Sequence, residues 1–485
     1  MQAIHDVVNA INGPLWTYLV WILVGVGVFF TLATGFVQVR LFGRSVSEML
    51  GSRKSGESDS QNISAFQAFV TGLASRVGTG NIAGVAIAIT AGGPGAVFWM
   101  WLTALIGMSS AYAESTLAQL FKIRDKETGQ FRGGPAYYIT QGLGQKWLAV
   151  LFAISLVFCF GFVFNAIQAN TIVLSIQSAA GLTPEAGTPE DVWTKYQYGL
   201  GAVLVIISAP IIFGGIKRVA RISEMLVPVM AALYLVMAVY VIATNFGELP
   251  RVFQLIFEDA FTLNAAGGGL LGGLVSQAMM LGIKRGLFSN EAGMGSAPNA
   301  AAAANVKHPV SQGMIQMLGV FVDTIIVCSC TAFIILLSDV PADKGLSGIQ
   351  LTQAALESQV GSWGQIFLAV ILFMFCFSSI IGNYAYAESN IQFLKNSRGL
   401  LTGFRMLVLG FVFFGSVSAS SLVWDMGDLT MGVMALINLL AIVFLYKLVL
   451  LLTKDYTSKL RMGKEPEFKL SEHPSLKRQI NNDIW

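Results

Sequence analysis

An apolar stretch near the N-terminus carries polar residues that could bind a carboxylate and a cation together. Residues 71–90 read TGLASRVGTGNIAGVAIAIT, so an arginine, an asparagine and two glycines interrupt a run long enough to cross a bilayer. Gly78 and Gly80 disfavour a continuous helix, because glycine costs about 1 kcal/mol relative to alanine in a helix interior. A break here would free amides and carbonyls, which can bind an anion and a cation next to each other. Alternatively, the glycines only permit close helix packing.

A second stretch repeats this pattern later in the chain. Residues 76–84 and 285–293 both fit R-x-x-x-x-N-x-A-G, at a shift of 209 residues. Glu114 and Asp323, each an acid within an apolar run, lie at the same shift, and a Phe-Cys-Phe triplet recurs at a shift of 217. Three matches in order indicate an internal duplication. Paired, interrupted hydrophobic segments in corresponding halves are typical of the binding site of a secondary transporter.

Composition places the chain among helical membrane proteins. Of its 485 residues, 54% are hydrophobic and only 12% are charged. The net charge of +3 is small, and we expect no nucleic-acid partner. No G-x-x-x-x-G-K-[ST] motif occurs, which argues against an ATPase. The cysteines lie in apolar runs without metal-ligand spacing and are interpreted as small core residues: Cys159, Cys328, Cys330 and Cys376.

Hydrophobic runs predict an all-α polytopic membrane protein with eleven transmembrane helices. Loops after alternate spans, with the C-terminal region, hold 24 of the 30 Lys and Arg residues, so we expect the N-terminus outside and the C-terminus in the cytoplasm. One leading helix then precedes two five-helix repeats, and an odd number of spans inverts the second repeat. The spans are predicted at about 16–37, 64–91, 95–121, 147–178, 197–215, 222–244, 267–304, 310–338, 363–388, 403–423 and 429–452.

These spans divide the chain into four parts. We predict a peripheral helix and cytoplasmic loop over 1–63, a first inverted repeat over 64–244 (spans 2–6), a second over 245–452 (spans 7–11), and a polar cytoplasmic tail over 453–485. The composition of the tail favours disorder. A short interfacial helix is expected to begin at Pro135.

The interrupted segments resemble those of a known family. Val77-Gly78-x-Gly80-Asn81 resembles the V-G-x-G-N element in the broken first helix of leucine-transporter-fold proteins. The strings RVGTGNIAG (76–84) and KRGLFSNEAGMGSAP (284–298) are similar to signatures of the alanine/glycine:cation symporter family. The resemblance implies a leucine-transporter-type fold and Na+-coupled import of alanine or glycine by alternating access. It implies a multi-pass protein of a prokaryotic plasma (inner) membrane, functional as a monomer, with Na+ as the co-transported ion and no enzymatic activity.

The resemblance also suggests which residues contact the substrate. The amides of Gly78, Thr79 and Gly80 would face its carboxylate, because glycine lets the backbone approach closely. In the seventh span we expect the break within Gly282–Ser289. Three amides in the apolar fourth span, Asn165, Gln168 and Asn170, suggest that Gln168 faces the cavity, and an interhelical hydrogen bond is its alternative role. Ordinary helix packing is the alternative role for the candidates of the seventh span: Gln277, Met280, Gly282, Ile283 and Gly286.

A sodium site is predicted beside the first break. Ser378 and Ser379 resemble the paired hydroxyls that complete such a site in leucine-transporter-fold proteins, with the carbonyls of Ala74 and Val77 as partners. The alternative is that both serines bond to carbonyls one turn back in their own helix. The side-chain oxygen of Asn81 is a further candidate ligand, and an N-cap is its alternative role.

The buried charges suggest ion pairs. Arg76 and Arg285 would each cost roughly 2.5–3.5 kcal/mol at the bilayer centre facing lipid. Glu114, Glu291 and Asp323 are available partners for structural or gating ion pairs.

Two other transport mechanisms, proton coupling and an ion channel, are also compatible with the sequence. Proton coupling is the nearest alternative, because Glu114 and Asp323 are titratable. An ion channel could use carbonyls around broken helices, but the repeat and the mixed polar pocket fit alternating access better.

Overall fold

The computed structural model describes residues 2–54, 62–125, 128–182, 187–262, 275–338, 340, 345–477, 479–480 and 484–485. Within these ranges the chain is almost entirely helical, with one small antiparallel hairpin formed by β1 (Ile123–Arg124) and β2 (Phe131–Arg132). In chain order the helices are α1 (Gln2–Ala33), α2 (Val37–Arg40), α3 (Phe42–Lys54), α4 (Ala65–Arg76), α5 (Gly80–Gly92), α6 (Ala96–Leu120), α7 (Pro135–Gly142), α8 (Lys146–Ala179), α9 (Glu190–Ile212), α10 (Gly215–Thr244), α11 (Leu249–Ala260), α12 (Gln277–Asn290), α13 (Pro298–Ala303), α14 (Pro309–Leu336), α15 (Gly348–Val360), α16 (Trp363–Leu394), α17 (Arg398–Val417), α18 (Ser420–Phe444) and α19 (Tyr446–Arg461).

Nine of these helices, within the described ranges, are long and apolar enough to cross a membrane, and α4 with α5 forms a tenth, bent span. The one remaining predicted span, the seventh at 267–304, begins among residues 263–274, which lie outside the described residues. Its described part consists of α12 and α13, separated by a non-helical segment. The expectation of eleven spans therefore stays a prediction.

The first break lies where the sequence predicts it. Ser64 and Gln67 form a capping box that starts α4, which satisfies backbone groups at the end of the helix. The helix ends at Arg76, Val77 is extended (φ −77°, ψ 95°), and α5 resumes at Gly80 with a π-helical turn. The two halves are bent by 50°.

The second break lies later than predicted. We expected it within Gly282–Ser289, but α12 continues to Asn290, and the non-helical segment covers 291–297. Gly293 and Gly295 in this segment have φ of 84° and 83°, a conformation that glycine adopts at low cost. The expected position was wrong because the glycines of α12 serve close helix packing instead.

The last two crossings begin earlier than expected. Spans predicted at 403–423 and 429–452 correspond to α17 and α18, because Ser418 and Ala419 adopt extended conformations that turn the chain without glycine or proline. The separate helix α19 then follows.

The C-terminal segment is ordered over most of its described length, so the prediction of disorder was wrong. The Phe468 amide donates to the Lys307 carbonyl (2.9 Å), and Trp485 Nε1 donates to the Leu120 carbonyl (3.3 Å). Burial lowers the pKa of His308, whose Nε2 lies 3.0 Å from an Asp455 carboxylate oxygen. Burial alone would raise the pKa of Asp455, but hydrogen bonds from His308 and Lys459 outweigh it and lower this pKa to about 2.

Helix packing holds the two breaks against each other. The helix α4 packs between α10 and α16, α5 packs on α12, and α6 lies between α12 and α14. The leading helix α1 packs on α6 and α18, where Trp16 Nε1 donates to the Asp428 carbonyl (3.2 Å). Elements of both predicted repeats thus surround each break.

Candidate functional site

The first break and α16 bring five oxygen atoms together. Ser379 Oγ lies 3.0 Å from the Ala74 carbonyl oxygen, 3.2 Å from that of Val77 and 3.0 Å from that of Phe375. Ser378 Oγ lies 2.8 Å from the Phe375 carbonyl oxygen and 3.5 Å from that of Ala74. The structure therefore brings together four of the five residues that the sequence assigned to a cation and adds the Phe375 carbonyl. It also shows the alternative contacts, since both hydroxyls donate within their own helix.

Two diverted amides explain why these carbonyls are available. In a continuous helix the Gly78 amide would donate to Ala74 and the Asn81 amide to Val77. Here the Gly78 amide donates to Asn81 Oδ1 (2.8 Å), and the Asn81 amide donates to the Gly78 carbonyl (3.3 Å). The Ala74 and Val77 carbonyls therefore keep oxygen lone pairs for other partners. The break thus leaves two carbonyl oxygens without their helical amide donors.

The Gln168 carboxamide occupies the position expected for a carboxylate. Its Oε1 accepts hydrogen bonds from the Thr79 amide (3.0 Å) and the Thr79 hydroxyl (2.8 Å). Thr79 Oγ1 also lies 3.0 Å from Cys376 Sγ. A Cβ atom at Gly78 would lie 2.3 Å from Ser379 Oγ and 2.9 Å from Gln168 Oε1. Gln168 therefore lies at the break, as the sequence suggested, with its oxygen on the amide and the hydroxyl of Thr79.

Asn81 has a different contact from the one expected. Its Oδ1 accepts from the Gly78 amide, so the backbone rather than the cation position uses this oxygen. Its Nδ2 donates to Asp323 Oδ1 (2.7 Å), and Asp323 Oδ2 accepts from Ser289 (2.8 Å) and Thr324 (2.9 Å). Asn81 lies in the first turn of α5, not at its N-cap. Both carboxylate oxygens of Asp323 therefore accept hydrogen bonds, and one of them contacts Asn81 at the break.

Glu114 makes the reciprocal contact at the second break. Its carboxylate accepts from the amides of Gly293 (3.2 Å) and Gly295 (3.0 Å) and from Asn438 Nδ2 (2.7 Å). Glu114 belongs to the first predicted repeat and holds the break of the second, whereas Asp323 belongs to the second and contacts Asn81 in the first. This exchange gives a structural role to the two acids that recur at a shift of 209.

Comparison with known proteins identifies the family. Residues 1–470 match the sodium:alanine symporter family. The chain belongs to this family. The symporter is 56% identical over 480 residues to an uncharacterized transporter of Haemophilus influenzae (99% of this chain, 96% of that protein). It is 47% identical to the amino-acid carrier protein AlsT of Bacillus subtilis (99% and 97% covered) and 35% identical to the sodium/alanine symporter AgcS of Methanococcus maripaludis (93% and 97%).

A solved structure supports the fold. The crystal structure of MhsT in complex with L-phenylalanine superposes with a TM-score of 0.54 at 14% identity, covering 81% of this chain and 98% of that one. The family and the fold confirm the resemblance read from the broken segments. The protein is a multi-pass, Na+-coupled amino-acid symporter with a leucine-transporter-type fold, and it is not an enzyme.

Most of the candidates on α12 do not face the first break of the symporter. Gln277 is exposed at the start of α12. Cβ atoms at Gly282 and Gly286 would lie 2.3 Å from the Ala96 carbonyl oxygen and 3.1 Å from Thr103 Oγ1, so these glycines pack on α6. Ile283 lies beside Thr103 in a small cavity of 20 Å³ next to the same helix, and Met280 is half-buried.

Phe288 and Ser289 contact the first break instead, and the sequence did not suggest them. A Cβ atom at Gly80 would lie 2.9 Å from the Phe288 ring and 3.1 Å from Ser289 Cα. The Phe288 ring packs at 4.6 Å from Phe164 and 4.9 Å from Trp424, measured between ring centroids. Phe288 and Ser289 contact the first break because the second break begins only after Asn290, so these residues form the last helical turn of α12.

The two arginines have partners other than those expected. Arg76 Nη1 donates to the Gln316 carbonyl (3.3 Å), while its Nε and Nη2 have no hydrogen-bond partner among the described residues. Arg285 Nη2 and Lys284 Nζ each lie 2.8 Å from Asp428 Oδ2, and Arg285 stacks over Trp424.

The three acids that the sequence offered as partners for these arginines make other contacts. Within the described ranges no ion pair joins Glu114, Glu291 or Asp323 to an arginine. Glu291 accepts from the hydroxyls of Ser75 (2.8 Å) and Ser296 (2.6 Å) instead. Backbone amides, hydroxyls and side-chain amides satisfy these acids.

Proposed function

We propose that the symporter imports small neutral amino acids, alanine and glycine, with Na+ by alternating access. The observation that carries this proposal is the proximity of two kinds of binding group within four residues of one break. Ala74 and Val77 present carbonyl oxygens toward Ser378 and Ser379, while Thr79 presents an amide and a hydroxyl. A cation and a carboxylate bound here would stabilise the same backbone conformation, which is the basis of coupled transport. The printed names of AlsT and AgcS agree with this proposal.

The cation site would use oxygen ligands only. Na+ would contact the carbonyls of Ala74 and Val77 and the hydroxyls of Ser378 and Ser379, which suits a hard cation. The Phe375 carbonyl is a further neighbour of both hydroxyls. Asn81 would serve a cation only after its oxygen left the Gly78 amide.

The substrate site would admit only a small side chain. Gly78 and Gly80 have no room for a Cβ atom, and Phe288 closes one side of the break. The carboxylate would replace Gln168 Oε1 at Thr79 and accept its hydrogen bonds from the amide and the hydroxyl. Glycine and alanine meet both requirements.

Radiolabelled uptake into proteoliposomes tests the proposal. With Na+ and proton gradients imposed separately, a Na+ gradient alone should drive accumulation of alanine and glycine. Proton coupling has one observation in its favour, since Asp323 is a fully buried carboxyl group in contact with Asn81. One relative, at 37% identity, is named a sodium/proton-dependent alanine carrier protein, and another, at 43%, is named a putative one. Accumulation of alanine driven by a proton gradient without Na+ would show proton coupling and contradict the proposal. Single-channel currents would indicate a channel.

A bulky side chain at residue 79 should strongly weaken alanine binding. Thr79→Leu removes the hydroxyl that donates to Gln168 and places extra carbon atoms in a fully buried position. Overpacking of this kind typically costs about 1–3 kcal/mol, or roughly 5- to 150-fold in affinity. Equilibrium binding of radiolabelled alanine to detergent-purified protein measures the effect. Thr79→Ser keeps the hydroxyl and should bind alanine, and unchanged affinity in Thr79→Leu would remove residue 79 from the pocket.

We also propose that the N-terminus lies outside and the C-terminus lies in the cytoplasm, with inverted repeats over 64–244 and 245–452. All four native cysteines are buried, so the wild-type protein should be nearly silent toward an impermeant thiol reagent. Glu190→Cys should therefore react from outside intact cells, and Lys464→Cys should react only after permeabilisation. The opposite labelling pattern would reverse the orientation.

The binding groups all come from one chain, which supports a functional monomer. Single-chain nanodiscs that retain Na+-dependent alanine binding would agree with this proposal, and loss of binding there would contradict it.

A further inference from the structure

A polar cavity of 290 Å³ lies on the proposed cytoplasmic side, away from the first break. The hairpin of β1 and β2, the junction of α9 and α10, α13, α16 and α17 surround it. This volume is many times that needed for one water molecule, which leaves room for a small amino acid.

Two residues of α16 that line this cavity, Glu388 and Ser389, each carry a polar atom without a hydrogen-bond partner among the described residues. Glu388 Oε2 and Ser389 Oγ are both unpartnered, although each residue is more than nine-tenths buried. The other carboxylate oxygen, Glu388 Oε1, lies 3.2 Å from Arg405 Nη2. Buried polar groups in native proteins are almost always satisfied, so an unpaired carboxylate oxygen and an unpaired hydroxyl on two residues that line the same cavity point to a ligand. Both atoms can accept hydrogen bonds from an ammonium group.

The same helix connects this cavity to the proposed Na+ site. Ser378, Gly382, Ala385 and Ser389 recur at helical spacing, so they share one face of α16 over about 16 Å. The two intervening residues are small, and α4 covers this face, since a Cβ atom at Gly382 would lie 2.8 Å from the Ser75 amide. Movement of α4 away from Gly382 would join the break to the cavity along a face with no bulky side chain.

The charges around the cavity fit a zwitterion better than a bare cation. Arg132, Lys217 and Arg405 also line it, and among the lining residues Glu388 is the acid. Arg405 is paired with Glu388, and Arg132 is paired with Asp125 (2.8 Å) just outside the lining. An ammonium group can bind at Glu388 while a carboxylate lies near the guanidinium groups.

We propose that this cavity is a second amino-acid site, which holds the transported substrate by its ammonium group at Glu388 and Ser389 on the cytoplasmic side. This inference rests on the proposed function, because the ligand is the transported amino acid. The site would bind the amino acid after it leaves the break and before it reaches the cytoplasm.

Exchange across proteoliposomes tests the cavity separately from the central site. The full-length protein is reconstituted in one orientation, and alanine is titrated on the cytoplasmic side during exchange. Glu388→Gln keeps the shape and should raise the half-saturating cytoplasmic alanine concentration about ten-fold or more, since it removes a charge-assisted hydrogen bond. Ser389→Ala should raise it about two- to five-fold. The half-saturating external concentration should stay unchanged in both variants.

Ser208→Ala is the matched control. Ser208 Oγ is equally buried and unpartnered, but it lies on α9 outside the lining of this cavity, so its removal should leave exchange unchanged. Normal uptake with unshifted cytoplasmic saturation in both cavity variants would overturn the cavity site alone. A shift in cytoplasmic Na+ dependence without one for alanine would assign the cavity to Na+ and overturn the amino-acid assignment. A wild-type protein that does not transport alanine would overturn both proposals.

Discussion

Replacing both Ser378 and Ser379 with alanine should raise the Na+ concentration required for half-maximal uptake by about ten-fold or more. The double variant removes the two hydroxyl oxygens that lie against the freed carbonyls of Ala74 and Val77. A hard cation would lose two of its four proposed protein ligands. Alanine affinity should recover at high Na+, because the substrate groups at Thr79 are unchanged. Radiolabelled alanine uptake at increasing Na+ concentration measures both effects.

The two single variants and one control sharpen this test. Ser379 contacts the carbonyl oxygens of both Ala74 and Val77, whereas Ser378 contacts only that of Ala74, at 3.5 Å, so Ser379→Ala should have the larger effect. Ser416→Ala removes a buried hydroxyl that bonds only within its own helix, to the Val412 carbonyl at 2.9 Å, and should leave Na+ dependence unchanged. If the double variant keeps the wild-type Na+ dependence, the two serines do not bind Na+ and only bond to carbonyls of their own helix.

The first break was predictable because its chemistry is local. Gly78, Gly80 and Asn81 disfavour a helix by their own backbone and side-chain preferences, and the Asn81 oxygen takes an amide that a helix would have used. The serines of α16 could be assigned only because the family resemblance supplied a partner over 300 residues away. Sequence alone could not distinguish this contact from bonding within the helix.

The second break was misplaced because the repeat pattern aligns residues, not conformations. The shift of 209 carries the first break onto residues 286–288 near the end of α12, which are helical, while the actual break at 291–297 corresponds to part of α5. Gly282 and Gly286 allow α12 to approach α6, whereas Gly293 and Gly295 adopt positive φ. Both segments contain glycines, so glycine content does not show which segment is the break. Only the contacts with the neighbouring helix show whether a glycine permits close packing or adopts positive φ.

The buried acids show a similar limit to what the sequence can predict. Their positions within apolar runs predicted functional burial, but the sequence shows charges and does not show which backbone donors are free. Glu114 is satisfied by the amides of Gly293 and Gly295, which exist as free donors only because the second helix is broken there. Asp428 was missed because the last span was predicted to start at residue 429. With the correct boundaries of α18, Asp428 would have been recognised as an acid within an apolar run.

Asp428→Ala should destabilise the folded symporter by about 3–5 kcal/mol, because it leaves two cations without their anion. The Asp428 carboxylate is 1% exposed and lies 2.8 Å from both Lys284 Nζ and Arg285 Nη2. Arg285 is itself buried at the end of α12 that contacts the first break. A cation left unpaired there must attract water or displace the helix. We expect a low yield of monodisperse protein and a lower temperature of thermal unfolding in detergent.

Asp425 provides the control for this prediction, because it lies one turn earlier on the same helix. It pairs with His5 at 2.7 Å, but its side chain is 29% exposed, so Asp425→Ala should cost no more than about 1 kcal/mol. The combined variant Asp428→Asn with Arg285→Gln removes the anion and one cation together and should recover part of the lost stability, since less uncompensated charge remains buried. If Asp428→Ala unfolds at the wild-type temperature, Lys284 and Arg285 do not depend on Asp428, and water or lipid must solvate these two cations.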